Sequence, residues 1–215
     1  MKAVEDIGGF RKAAVIAAHP DDETIWAGGT ILLHPEVAWH VAVLCRGTDP
    51  DRAPRFFRAL QQLGASGSIG DLDDDPQQPP LAQPEVEQVI LSLLSGERFD
   101  LIITHGPHGE YTRHLRHEET SRAVSILWQK GRISSKEIWM FAYEDSGGQS
   151  LPRPVRTAHR LVRLPDSIWQ LKYRLITETY GFGANSFEAK AAGPEEAFWR
   201  FHSPAELDQF LTIER

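Results

Sequence analysis

The chain of 215 residues has a single cysteine, Cys45. One thiol forms no internal disulfide and cannot build a cysteine-rich metal site. Positive charge is in the minority, with 23 Lys and Arg against 30 Asp and Glu, a formal net charge of −7. That balance argues against binding a phosphate backbone, so no nucleic-acid partner is expected, nor an anionic membrane surface. No apolar run approaches the roughly 20 residues needed to cross a bilayer, so no membrane span is expected. The opening Met-Lys-Ala-Val-Glu-Asp carries no apolar leader, and a reducing, cytoplasmic setting is the expectation. Two enzyme motifs are also missing. No Gly-x-Gly-x-x-Gly follows the first strand candidate, which disfavours a dinucleotide enzyme. No Gly-x-Ser-x-Gly occurs, which disfavours a serine hydrolase.

What is present suits a globular protein: 41% of residues are apolar and 25% charged, enough for a core of good size in one domain over 1–215. The organising stretch is Ala-Ala-Val-Ile-Ala-Ala-His-Pro-Asp-Asp-Glu-Thr, residues 13–24. Its apolar half has strand length and no polar alternation, the pattern of a strand buried on both faces in a parallel sheet. Pro20 ends the pairing because it has no N–H to donate. His19, Asp21, Asp22 and Glu23 are thereby placed at the carboxyl end of a strand, where open α/β sheets build their sites. A helix N-terminus would also favour acids, through its dipole. It accounts for Asp22 or Glu23 but not for an imidazole against two carboxyl groups.

Further strands are expected near residues 39–44, 68–72, 101–104 and 138–143, separated by helical patterns. The first of these patterns is interrupted at Gly28-Gly29, and the second stops at Gly64. Residues 73–80 read as an acidic, proline-rich loop. Strands alternating with helices imply an α/β fold, a mostly parallel sheet of order 3-2-1-4-5. The ligand crevice then lies above the ends of strands 1 and 4. Beyond Glu144 the pattern gives one more strand within 155–164, helical spacing over 167–180 ended by Gly181, and short helices at 195–201 and 204–211.

The loop after strand 4 contains His105, His108, His114 and His117, four of the nine histidines. His114 and His117 are three apart and share a helix face. His19, one of the two aspartates and one histidine of that pair have the composition of a catalytic zinc site, three N or O ligands with a place left for water. The second aspartate then suits proton transfer.

Residues 18–23, Ala-His-Pro-Asp-Asp-Glu, resemble the signature of the PIG-L/LmbE-like zinc-dependent N-deacetylase family. Arg46-Gly47 after strand 2 and His114-x-x-His117 after strand 4 extend the resemblance over most of the chain. It implies a Rossmann-like three-layer α/β sandwich with C-terminal additions, and one Zn2+ per chain held by His19, Asp22 and His117. Asp21 becomes the general base, and His114 the group that stabilises the oxyanion or shuttles a proton. Members deacetylate N-acetylglucosaminyl-inositols, N-acetylglucosaminyl malate and related amides, so the expected partner is a small N-acetylated, sugar-like amine. The chain departs from the family where the histidine pair usually encloses Pro-Asp: here it encloses Leu115-Arg116. Glu110 or Glu118 is the expected replacement for that acid.

Other residues carry weaker signals. Arg52 and Arg55 precede a helix near the crevice and offer contacts to a polar substrate; Tyr111 offers an oxyanion donor. The Asp73–Asp75 acids offer acceptors to sugar hydroxyls or a calcium ion but read first as solvated, His40 and Cys45 as structural, and His105 and His108 as pocket or loop residues. The C-terminal aromatics, including Tyr180, Phe182, Phe198, Trp199 and Phe201, read first as core and second as a lid or a homo-oligomer face. The competing functional reading is a non-catalytic metal- or carbohydrate-binding protein. It has no use for Asp21.

Overall fold

A computed structural model describes residues 9–75, 80–111 and 114–213. Part of the 73–80 loop, the first eight residues, and Thr112 and Arg113 therefore lie outside the described residues.

The first half of the chain alternates strands with helices. β1 (Lys12–Ala17), α1 (Asp22–Leu33), β2 (Ala38–Cys45), α2 (Arg52–Leu63) and β3 (Ser66–Leu72) are followed by α3 (Gln83–Leu94), β4 (Arg98–Thr104), α4 (Leu115–Gln129) and β5 (Ser134–Phe141). Then come the short β6 (Tyr143–Glu144) and β7 (Arg153–Pro154), β8 (Arg160–Arg163), and α5 (Asp166–Arg174), which continues as a π-helical turn over Leu175–Thr179. α6 (Phe187–Ala191), β9 (Glu195–Phe201) and α7 (Pro204–Ile213) complete the chain.

One sheet runs β3-β2-β1-β4-β5-β9-β8, and β6 pairs with β7. The pairings from β3 through β5 are all parallel, while β9 is antiparallel to both β5 and β8. The expected 3-2-1-4-5 order thus stands, with an antiparallel addition at one side. β1 lies at the centre. Ala13, Val15 and Ala17 face one core with Trp26 and Ile31 of α1 and Phe56 of α2. Ala14 and Ile16 face the other, with Ile90 of α3 and Val124 and Leu127 of α4. Two apolar faces explain why the strand shows no alternation.

Two expectations are corrected. Residues 195–201 form strand β9, not a helix. Ala197, Phe198 and Phe201 are buried, and the strand lies between β5 and β8 with Ile138 opposite Phe201 and Arg160 opposite Phe198. Apolar side chains on both faces erase the two-residue period that marks a half-exposed strand. Gly28-Gly29 does not interrupt α1 either. The Glu196 carboxylate on β9 accepts from Gly29 N at 2.7 Å, Thr30 N at 2.8 Å and Thr30 Oγ1 at 2.6 Å, and pairs with Lys172 Nζ at 2.7 Å. A Cβ on Gly29 would lie 2.3 Å from a Leu164 methyl. Glycine serves close approach there, not chain reversal. The region 155–164 contributes only the four-residue β8. Among the described residues no helix is long and apolar enough to cross a membrane.

Candidate metal centre

The ends of β1 and β4 are fastened side by side. Thr104 Oγ1 donates to Ile16 O at 2.9 Å, and Ala18 N donates to His105 Nε2, also at 2.9 Å. From this seam the chain turns through His19-Pro20-Asp21 into α1, and α4 begins just after His114. The switch point expected from the strand order therefore brings His19, Asp22 and His117 together.

Their polar atoms form a nearly equilateral triangle. His19 Nδ1 lies 3.1 Å from Asp22 Oδ2 and 3.3 Å from His117 Nε2, and the third side is 3.2 Å. Two ligands on a tetrahedral zinc, each 2.0–2.1 Å from the ion, lie about 3.3 Å apart. The opposite ring nitrogens are backed by carboxylates: His19 Nε2 by Asp74 Oδ1 at 2.8 Å, His117 Nδ1 by Glu110 Oε2 at 2.6 Å. Histidines that hold a metal are oriented in this way, the carboxylate taking the outer N–H and leaving the inner lone pair free. The carboxylates around both rings favour positive charge at this point. Burial opposes a charge on His117, yet the Asp22 and Glu110 carboxylates outweigh it and lift its pKa to about 10. Burial likewise opposes a charge on His19, and hydrogen bonds to Asp22 and Asp74 raise its pKa. Asp22 is held well below the carboxylate range by the histidines, against its burial. The donor set thus fits a divalent cation.

Asp21 sits beside the triangle and lines a cavity of about 200 Å³ with Arg46, Arg52, Asp74, Tyr111 and His114. Burial, then the charge of Asp22, push its carboxyl well above the usual range. Its backbone is unusual, with φ 120. Arg52 Nη1 is 3.4 Å from Asp21 Oδ2, and the guanidinium stacks 4.5 Å over the Phe182 ring. Arg55 points elsewhere, donating to Asp51 Oδ1 at 2.8 Å and Tyr180 O at 2.6 Å. Tyr111 meets His114 and His117 edge to face, at ring distances of 5.6 and 5.4 Å. Its phenol is pushed up by burial and by the nearby Asp22, Asp21 and Glu110 carboxylates, so it keeps its proton.

His114 stacks on His117 at 4.3 Å. Burial, reinforced by the neighbouring His117 and His19, holds its pKa down to about 3. Its buried Nδ1 has no hydrogen-bond partner among the described residues. The expected substitute acid is therefore not there. Glu110 serves His105 Nδ1 at 2.8 Å, His117 Nδ1 and Gly106 N at 2.9 Å instead, and Glu118 lies on the far side of the pair in sequence. Arg116 turns away, donating to Asp73 O and pairing with Glu119, whose Oε1 accepts from Leu81 N at 2.8 Å. α4 thus anchors the loop after β3 on both sides of the undescribed residues.

The acidic loop is accordingly not merely solvated. Asp74 reaches His19 and also accepts from Arg46 Nε at 2.9 Å. Those two partners hold its pKa at about 2 in spite of burial. Sequence reasoning preferred a solvated reading for Asp74, used Arg46 only as part of the family resemblance, and left Glu110 misassigned. Topology held the available signal, because both Arg46 and Asp74 follow strands that end at the same sheet edge as β1. His40 bonds Ser66 and Ser68, and Cys45 is a buried thiol that burial pushes up in pKa.

Comparison with known proteins places this geometry. A family model described as PIG-L, GlcNAc-PI de-N-acetylase, matches residues 14–128, a little over half the chain. No curated protein matches the sequence. Similar solved structures include N,N'-diacetylchitobiose deacetylase from Pyrococcus horikoshii, 17% identical, TM-score 0.69, covering 90% of this chain and 85% of that one. The zinc-inhibited form of teicoplanin deacetylase Orf2 is 15% identical, TM-score 0.63, covering 88% and 97%. GalB, a 4-carboxy-2-hydroxymuconate hydratase from Pseudomonas putida, is 19% identical, TM-score 0.58, covering 85% and 82%. At such identities these likenesses establish the fold. The family match is of another kind, since it spans residues 14–128, from β1 through His19-Pro20-Asp21-Asp22 to His114 and α4, and by it the chain belongs to the PIG-L family.

Proposed function

We propose that this protein is a metal-dependent N-deacetylase that hydrolyses the acetamide of an N-acetylated, sugar-like amine, with one zinc ion held by His19, Asp22 and His117. The observation that carries the reading is the triangle of three ligand atoms, each side 3.1–3.3 Å, with a separate buried carboxylate, Asp21, facing the same cavity. A divalent ion in that triangle supplies Lewis acidity to an attacking water and to the amide carbonyl.

The remaining work falls to the chain. Asp21 Oδ takes a proton from the water as its oxygen bonds to the carbonyl carbon, and its raised pKa suits it to hold that proton. It then delivers the proton to the nitrogen as the carbon–nitrogen bond breaks, giving acetate and a free amine with no covalent enzyme intermediate. The Tyr111 hydroxyl and a neutral His114, as N–H donors and O–H donors do elsewhere, stabilise the oxyanion by hydrogen bonds. Arg46 and Asp74 line the cavity as a donor and an acceptor side by side, which suits vicinal hydroxyls, and Arg52 accommodates one anionic group. The deacetylases of similar fold, acting on a chitobiose and on teicoplanin by their descriptions, support a glycoside-like substrate. Fold alone does not choose, since a hydratase shares it.

The test is acetate release from a panel of N-acetyl sugars and amino conjugates, with protein loaded separately with zinc, cobalt and manganese. Asp21→Asn should keep the metal and lose at least about a hundredfold in turnover, the scale of a lost general base. His117→Ala should lose the metal. A variant at Asp21 that loses metal while Asp22→Asn keeps it reverses the two roles. A metal-loaded protein inactive across the panel favours the binding-protein reading instead.

A further inference from the structure

Asp21 is the N-terminal flanking residue of α1, and its φ of 120 falls in a region that side-chain-bearing residues avoid. Such a conformation persists only where its surroundings impose it. Here the backbone N–H of Asp21 donates to Glu23 Oε2 at 3.0 Å. The other oxygen of Glu23 accepts from Tyr180 Oη at 2.6 Å and from Thr24 Oγ1 at 2.5 Å. Glu23 is fully buried and Tyr180 3% exposed.

Tyr180 belongs to a turn that is itself fixed. It follows the π-helical turn, an irregularity frequent near functional sites. Tyr180 N donates to Leu175 O at 2.9 Å and Phe182 N to Ile176 O at 3.1 Å. Between them Gly181 adopts φ 80, and a Cβ there would lie 2.1 Å from Arg55 Nη1, the atom that donates to Tyr180 O. The same turn supplies the Phe182 ring beneath Arg52, which faces the Asp21 carboxylate. The π-helical turn, Tyr180, Gly181 and Phe182 lie beyond residue 128, outside the stretch that the family model matches.

We propose that Tyr180 is a positioning residue that acts through Glu23 to hold the backbone of Asp21 in the conformation that aims its carboxylate into the cavity. The proposal rests on the reading of Asp21 as the proton-transfer group. Glu23 does not itself line the cavity, so the three hydrogen bonds it accepts while buried have no other use in the site. Tyr180→Phe removes one hydroxyl and keeps the ring in the core.

The experiment has two arms. In the first, hydrogen exchange of the Asp21 amide is followed by NMR in wild type, Tyr180→Phe and Glu23→Gln, with β1 amides as internal reference. Exchange at Asp21 should quicken about tenfold in each variant while β1 stays unchanged, the effect of weakening one hydrogen bond. In the second, the metal-loaded variants should show kcat reduced about tenfold, KM within twofold and metal affinity unchanged. A purely structural role would instead quicken exchange throughout the molecule or move KM and kcat together. Unchanged exchange at Asp21 in both variants overturns the proposal, as does quickened exchange with unaltered kcat in an active enzyme. If wild type deacetylates nothing in the panel, the functional reading fails while the exchange arm still decides the claim about Tyr180. Should Tyr180→Phe not fold, the isosteric Glu23→Gln carries both arms.

Discussion

Replacing Glu110 by Gln tests the centre without touching a ligand. Glu110 is 1% exposed, and its two oxygens accept three N–H groups: His105 Nδ1 and His117 Nδ1 at Oε2, Gly106 N at Oε1. An amide has one acceptor oxygen. Turned towards the histidines, it sets its NH2 against the Gly106 N–H. Turned the other way, it forces His117 to accept at Nδ1 and so to carry its proton at Nε2, the atom facing His19 and Asp22. Either arrangement removes the charge that makes His117 a strong ligand. Loss of such a supporting carboxylate typically weakens metal binding 10–100-fold, about 1.4–2.7 kcal/mol, and with no good amide orientation the upper end is expected. Competition against a chromophoric chelator measures the dissociation constant, and circular dichroism reports whether the variant is folded. A folded Glu110→Gln with an unchanged constant refutes the assignment of His117 as a ligand supported from behind. The metal-free protein adds a pH signature. Glu110 has its pKa lowered from 4.5 to about 2, so its contribution is present above about pH 4.5 and is lost as pH falls towards 2. His117 has its pKa raised from 6.5 to about 10, so its contribution is complete below about pH 6.5 and is lost as pH rises through 10. Glu110→Gln should flatten the acid side of this profile.

Lys172→Met leaves the buried Glu196 carboxylate without its cation. The cost should be about 3–5 kcal/mol, read as a fall in melting temperature of roughly 6–20 °C; a smaller shift than 2 °C refutes the pairing. Gly29→Ala should destabilise by about 1–3 kcal/mol through overpacking against Leu164, measured by urea unfolding. Asp100, whose pKa is held at about 2 mainly by Lys136 and the Arg11 N–H, stabilises the fold above its unfolded pKa near 3.8 and loses that contribution as pH falls. Asp100→Asn should therefore reduce the acid sensitivity of unfolding between about pH 4 and 2.

Local pattern was enough to find β1, its place beside β4 and the residues that meet there, because each of those signals is written in a short stretch. The two misread elements were shaped by distant partners. Glu196 looks like a solvent-facing helix residue until Lys172 and the Gly29–Thr30 amides are placed around it, and no spacing within 195–201 discloses them. Asp74 resembles its acidic neighbours in every local respect, and its reach to His19, 55 positions away, and to Arg46 separates it from them. Tyr180 is a similar case, 157 positions from Glu23.

The central strand also sets a schedule for synthesis. β1 is apolar on both faces, and its neighbour on one side, β4, pairs Leu101 with Ala13, 88 positions later. At a ribosomal rate of about 5–20 residues per second, roughly 4–18 s pass before β4 has even been made. During that interval one edge of a strand apolar on both faces has no mate, and parallel pairings of such separation form slowly once available. Crowded expression, slow translation of the segment between α2 and β4, or truncation before β4 should therefore yield aggregates seeded at residues 13–18, even though the finished protein hides that strand completely.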